Sequence, residues 1–128
     1  MKLHHLIFLV AGFALVADAD IITTNAPASF RQYDNAVVTK VSNHWYQMMD
    51  TNLFETPPPA GQAKLEFRLF SDGHVRDIRV DSATVEERRV ALCRRAILDC
   101  APFADWPKEM RQTYTNDYRV IYFTFTFQ

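Results

Sequence analysis

The sequence predicts an α+β fold: a three-stranded antiparallel sheet with two helices on one face. Three observations predict it. Residues 64–70 (KLEFRLF) alternate polar and apolar up to a Ser71-Asp72-Gly73 turn, the pattern of a half-buried strand entering a hairpin. Two other stretches carry apolar residues every three or four positions, the period of a helix packed on one side. A second long alternating run closes the described order, with Phe123, Phe125 and Phe127 on one face.

Residues 1–19 read as a signal peptide. Lys2, His4 and His5 form a short basic start, residues 6–16 (LIFLVAGFALV) are unbroken apolar, and Ala17-Asp18-Ala19 is a small-x-small cleavage site. The apolar run falls short of the roughly 20 residues that a spanning helix needs. Cleavage after Ala19 would release a periplasmic protein beginning at Asp20; an uncleaved inner-membrane anchor is the alternative. Residues 20–28 lack periodicity and read as a disordered lead. Residues 29–60 hold an N-terminal helix and a proline linker. Ser29 and Gln32 are spaced as a capping box, and Phe30, Tyr33, Val37, Val41, Trp45 and Met48 form one apolar stripe on a helix over 30–50. Pro57-Pro58-Pro59 ends regular structure and favours an extended connector.

The hairpin follows. Leu65, Phe67 and Leu69 are expected in the core, with Lys64, Glu66 and Arg68 in water. The return strand over 74–81 is expected to bury Ile78 and Val80. Val75 is out of phase with them, which predicts a bulge near Arg76-Asp77. Thr84 with Glu87 is spaced as a capping box for a second helix, whose buried stripe is Val90, Cys93, Ala96 and Ile97. Arg88, Arg89, Arg94 and Arg95 are assigned to its solvated face, balanced by Glu86, Glu87 and Asp99. Phe103 and Trp106 sit in a proline-bounded loop, and residues 108–114 suit one or two helical turns. The last strand, 117–127, carries Ile121, Phe123, Phe125 and Phe127 on one face and Tyr118, Val120, Tyr122, Thr124 and Thr126 on the other.

A helix joining the second and third strands makes them parallel within one sheet. A right-handed crossover then places the first strand between them. That order leaves the last strand at an edge.

At 128 residues the chain suits one domain with a core; 48% hydrophobic and 23% charged residues mark it as globular. A formal net charge of -1 gives no electrostatic basis for binding nucleic acid. Cys93 and Cys100 are seven apart, which is not a metal spacing. Within one continuous helix their Cα atoms would stand about 10 Å apart at about 1.5 Å per residue, beyond the roughly 7 Å that a disulfide spans. A bond between them requires the helix to end in between, which Pro102 would allow; otherwise Cys93 is a small core residue.

The run Gly61-x-x-x-Leu65-x-Phe67-x-Leu69-x-x-Asp72-Gly73-x-Val75-x-Asp77-Ile78-x-Val80 resembles the first hairpin of TonB/TolA-type C-terminal domains. Cys93-x-x-Ala96-Ile97, Pro102-Phe103, Trp106-Pro107 and the closing Phe123-Thr124-Phe125-Thr126-Phe127 resemble the helix, loop and final strand of that family. The resemblance covers residues 61–128. It implies a periplasmic domain that grips a peptide segment of an envelope or outer-membrane protein by strand addition, with the last strand as acceptor. The implied partner-binding residues are Tyr118, Val120, Tyr122, Thr124 and Thr126; such an edge could also pair with its own copy as a homodimer. The family's transducers carry an uncleaved anchor and a long span across the periplasm. Three prolines reach only about 10 Å, so force transmission is not expected of this chain.

No nucleophile–base pair, phosphate loop or metal-ligand spacing is visible, so the expectation is a binding module with no catalytic residues, metal or cofactor. A small secreted enzyme is the alternative from another class, with His44, His74, Asp72 and Asp77 as its candidate chemistry. A pocket placing His74 beside a carboxylate would favour that reading.

Overall fold

The computed structural model describes residues 14–15, 27–51 and 60–127. The cleavage motif at 17–19, the lead over 20–26 and the prolines at 57–59 lie outside the described residues. The elements in chain order are β1 (Ala14–Leu15), α1 (Ala28–Thr51), β2 (Gly61–Phe70), β3 (Val75–Ala83), α2 (Glu87–Leu98), α3 (Lys108–Thr113) and β4 (Tyr118–Phe127). The three long strands stand in the expected order, β3-β2-β4, and all are antiparallel. A two-residue strand that the sequence reading assigned to the leader, β1, lies on the far side of β4.

The core forms between the sheet and the helices. Leu65, Phe67 and Leu69 of β2 and Ile121, Phe123, Phe125 and Phe127 of β4 are buried. The α1 stripe closes over them: Trp45 meets Phe125 and Phe127 with ring centroids 5.2 and 5.3 Å apart, tilted and edge-on. Tilted and edge-on rings satisfy the aromatic quadrupoles while burying large apolar areas. Val90, Cys93, Ala96 and Ile97 of α2 are buried as their spacing predicts. Among the described residues no helix is long and apolar enough to cross a membrane.

The helix starts differ from the local signals. Helix α1 begins at Ala28, where the Pro27 carbonyl accepts the Phe30 and Arg31 N–H groups. Ser29 lies inside the first turn, and its hydroxyl donates to the Glu109 carboxylate on α3. Helix α2 starts at Glu87 without a side-chain cap. The Thr84 hydroxyl instead accepts the Gln62 N–H at 2.9 Å, fastening the start of β2 to the end of β3. Gly61 permits that closeness, since a Cβ there would stand 2.7 Å from Thr84 Oγ1. In both places a long-range partner took the hydroxyl that a cap would have used.

The hairpin turn is locked from outside. Gly73 adopts φ 90°, and its carbonyl accepts the Phe103 N–H at 2.8 Å. Ser71 O accepts the Trp106 N–H at 2.9 Å, and Ser71 N–H reaches Asp117 O at 2.8 Å. The 101–107 loop, entered through a cis Ala101–Pro102 peptide, thereby seats Phe103 and Trp106 in the core.

The bulge near Arg76-Asp77 is present: register shifts between Glu66 and Arg68, with Asp77 at φ 55°. A second shift separates Lys64 from Leu65. Strand β3 is outermost, and none of its residues is buried. Ile78 and Val80 are therefore not core residues as expected; Ile78 is half-buried and Val80 is exposed. Arg89 also departs from its assignment. It is buried on α2, held by the Glu86 carboxylate one turn earlier.

Candidate functional site: the outer edge of β4

Strand β4 pairs with β2 along its full length, from Tyr118 opposite Phe70 to Phe127 opposite Gly61. One side of its backbone is thus consumed. On the other side, among the described residues, only β1 pairs with it, placing Ala14 opposite Tyr122 and Leu15 opposite Ile121. Among the described residues nothing else pairs with that edge, and an unpaired strand edge offers its backbone groups to a further ladder.

The five residues expected to meet a partner, Tyr118, Val120, Tyr122, Thr124 and Thr126, form one row of half-buried side chains on the face away from the helices. Strand β2 holds the aromatic members in place. Tyr118 packs tilted against Phe70 at 5.4 Å and lies under the Arg68 guanidinium at 4.6 Å, while the Lys64 ammonium sits 5.0 Å from the Tyr122 ring. Partial desolvation, with Glu66 and Asp81 nearby, raises the Tyr122 phenol above its ordinary pKa. From Val120 to Phe127 the strand contains no charged residue, proline or glycine.

The opposite edge of the sheet is built differently. Strand β3 exposes Arg76, Asp77, Arg79 and Asp81 and is kinked by its two register shifts. Charge and bulges are the features that prevent one sheet edge from pairing with another. The sheet therefore has one blunted edge and one that is uncharged and regular.

Arg119, the one charged residue within β4, is 1% exposed and points into the core. Its Nη2 lies 2.9 and 3.1 Å from the two carboxylate oxygens of Asp34 on α1. Trp106 and Tyr114 lie beside the guanidinium, 5.9 and 5.5 Å from ring centroid to Cζ. Burial raises the Asp34 pKa, with Arg119 opposing that shift. Beside it the Tyr33 hydroxyl donates to Ala104 O at 2.7 Å, and burial pushes its pKa up to about 12.

The two cysteines are not joined. Both are buried free thiols: Cys93 is fully enclosed, and Cys100 Sγ lies 3.5 Å from the Lys40 carbonyl. A bond would require the helix to open between them, but α2 runs to Leu98 and the turn continues through Cys100; Cys93 is the small core residue of the alternative reading. Burial raises both thiols above their ordinary pKa, Cys93 the more strongly.

The candidate catalytic residues are dispersed. His74 Nδ1 is 3.1 Å from Asp72 Oδ2, but both side chains are more than half exposed on the hairpin turn, with nothing to exclude water. His44 Nε2 is 2.9 Å from Asp99 Oδ2, a link between α1 and α2 that Arg95 shares at 3.4 Å. Asp77 faces Arg68 at 3.5 Å. Among the described residues no group of three His, Cys, Asp or Glu could hold a metal ion.

Sequence reasoning missed β1 and the Asp34–Arg119 pair. The signal for the pair was present in the alternation of β4, which puts position 119 in phase with Ile121 and Phe123. The signal for β1 was the run over 13–17 (FALVA), as compatible with a strand as with a leader. No family model matches the sequence, and comparison with curated proteins and with solved structures gave no match.

Proposed function

We propose that the chain is an exported, periplasmic binding module of the TonB/TolA C-terminal type, which captures an extended segment of an envelope protein by strand addition to β4. The observation that carries this reading is the asymmetry of the two sheet edges. One is charged and twice bulged; the other is uncharged, regular and already paired with a short antiparallel strand. Main-chain hydrogen bonds to β4 would supply affinity, and the row from Tyr118 to Thr126 would sort the visiting side chains on its face. In an antiparallel ladder directly opposed residues share a face. A visiting residue opposite Tyr122 therefore lies over the uncharged aromatic row, favouring apolar or aromatic residues at alternate positions. The exposed His74–Asp72 pair supports no enclosed chemistry, and binding accounts for the uncharged, regular edge without it.

The test is site-specific photo-crosslinking in the periplasm of a bacterial host. A photoreactive residue replaces Tyr122 on the β4 edge or, as the control, Arg79 on the β3 edge. The expected result is a crosslink from position 122 to an extended segment of an envelope protein, and none from 79. The same products in equal yield from both positions would remove the case for β4 as the acceptor.

A further inference from the structure

Strand β4 presents an uncharged row, but the charges of β2 and β3 beside it are uneven along its length. We infer that the segment captured at β4 carries a carboxylate side chain opposite Tyr118, received by the Arg68 guanidinium, and that this charge sets the register of an antiparallel visitor. The inference rests on the strand-addition reading above and adds the chemistry of the segment that fits it.

Arg68 of β2 and Arg76 of β3 stand directly opposite each other on the face away from the helices. Like charges directly opposed destabilise a sheet, so the pair calls for an anion. Both guanidiniums are nonetheless fixed in place. Arg68 lies over Tyr118 at 4.6 Å and Arg76 over Phe70 at 5.1 Å, on two rings whose centroids are 5.4 Å apart. Arginines seated on aromatic rings lose less freedom when an anion arrives.

The acids of this face do not cancel the pair. Lys64 is answered by Asp81 at 3.8 Å, and Arg79 by Glu66 at 3.8 Å. Arg68 has Asp77 at 3.5 Å, with both side chains open to solvent, and among the described residues no carboxylate is paired with Arg76. The Tyr118 end of the row therefore holds one more cation than anion. At Tyr122 the balance differs. Glu66 stands directly opposite it on β2 and, with Asp81, disfavours negative charge at the phenol. A visiting carboxylate is opposed there, where apolar residues fit, and is drawn to the Tyr118 end.

The reach is suitable. Arg68 is opposite Val120 in register, but its side chain leans along the sheet to Tyr118 and brings the charge over the acceptor strand itself. Among the described residues only Ile121 and Tyr122 have a partner on the outer edge, so the position beside Tyr118 is unpaired. A residue added there has its Cβ about 5 Å from that of Tyr118. An Asp or Glu at that distance meets the guanidinium, whose parallel N–H groups match a carboxylate.

The experiment uses protein recovered from a bacterial periplasm and three ten-residue peptides of alternating valine and threonine, acetylated and amidated at their ends. In one, the valine nearest the C-terminus, the end that an antiparallel visitor lays beside Tyr118, is replaced by glutamate. In the second it is replaced by glutamine. In the third, glutamate replaces the valine nearest the N-terminus instead. Amide shifts by NMR report binding along β4, and titration gives each Kd. The peptide with C-terminal glutamate is expected to bind at least about fivefold more tightly than the other two at low salt, and to lose that advantage as salt is raised. Arg68→Gln should abolish the advantage and leave the affinity of the glutamine peptide unchanged. Arg79→Gln, on the same face, should preserve it.

Equal affinities for the C-terminal glutamate and glutamine peptides, with shifts along β4, would overturn the inference and leave strand addition standing. An advantage of the same size from glutamate at either end, or one that survives in Arg68→Gln, would overturn it too, because attraction by the whole protein would then explain the binding. No shift along β4 from any of the peptides would overturn strand addition, and the inference with it.

Discussion

The Arg119 guanidinium and the Asp34 carboxylate meet beneath the sheet at 2.9 and 3.1 Å, joining β4 to α1 in the interior. The two ends are unequally buried: the Arg119 side chain is 1% exposed and that of Asp34 is 17% exposed. Removing one partner of a buried pair strands the other charge, at a cost of about 3–5 kcal/mol. Asp34→Asn strands the deeper charge and should lower stability by about that amount. Arg119→Met leaves a carboxylate that reaches water and fills the vacated space with an apolar chain, so it should cost less. Urea unfolding of the two variants checks the order; equal losses would mean that the pair is screened.

Tyr33 makes stability at high pH depend on one hydroxyl. Its pKa is 10.0 when unperturbed and about 12 in the fold. The folded state therefore keeps the proton longer than the unfolded state. Its contribution is fully present below pH 10 and is lost as pH rises through about 12. Tyr33→Phe removes this titration and the bond to Ala104. The variant should be less stable at neutral pH by about 1 kcal/mol, and the gap should close or reverse as pH rises through the alkaline window. A gap that stays constant with pH would show that the hydroxyl does not titrate differently in the two states.

Gly73 is required by both conformation and space. At φ 90° an added Cβ is strained, and it would stand 1.8 Å from the Phe103 carbonyl oxygen. Gly73→Ala should destabilise the fold by about 2–4 kcal/mol, as measured by the denaturant midpoint. Asp72→Ala serves as the neighbouring control and should cost under about 1 kcal/mol, because its bond to the His74 N–H is exposed.

Export and thiol state are read together by intact mass. Protein recovered from a bacterial periplasm should begin at Asp20 and carry two reduced thiols. Iodoacetamide should label Cys93 only after unfolding, since its thiol is enclosed and protonated. A mass two hydrogens lower would mean that the cysteines pair, which requires the end of α2 to open. A full-length mass in the membrane fraction would favour the anchored alternative.

Much of the fold was legible because its signals are periodic. Leu65, Phe67 and Leu69, and again Phe123, Phe125 and Phe127, alternate over stretches long enough to define a face, and α1 repeats its apolar residues over several turns. Signals carried by single residues fared worse. Ser29 and Thr84 looked like caps, yet each hydroxyl is used by a partner distant in sequence, Glu109 in one case and Gln62 in the other. Arg89 was read as solvated because charge is costly to bury; Glu86 offsets that cost, as Asp34 does for the buried Arg119. Ile78 and Val80 were read as core because they are apolar, but they lie on the outermost long strand, where none of the residues is buried. The row from Tyr118 to Thr126 was legible, whereas β1 was hidden because one apolar run suits both a leader and a strand.

The order of the sheet also dictates the order in which it can form. Strand β4 lies between β1 and β2, yet it follows both in the chain, with Phe127 closing on Gly61 and Tyr122 on Ala14. The β2–β3 hairpin can arise early, but an isolated two-stranded hairpin is marginal in water. Its core face stays uncovered until β4 has been synthesised, and pairing so distant in sequence is slow because loop closure comes first. A nascent chain of this topology remains unfolded until nearly all of the residues described here have left the ribosome. For the exported protein proposed above, that delay would keep the chain in the threadable state that passage through a narrow translocation channel demands.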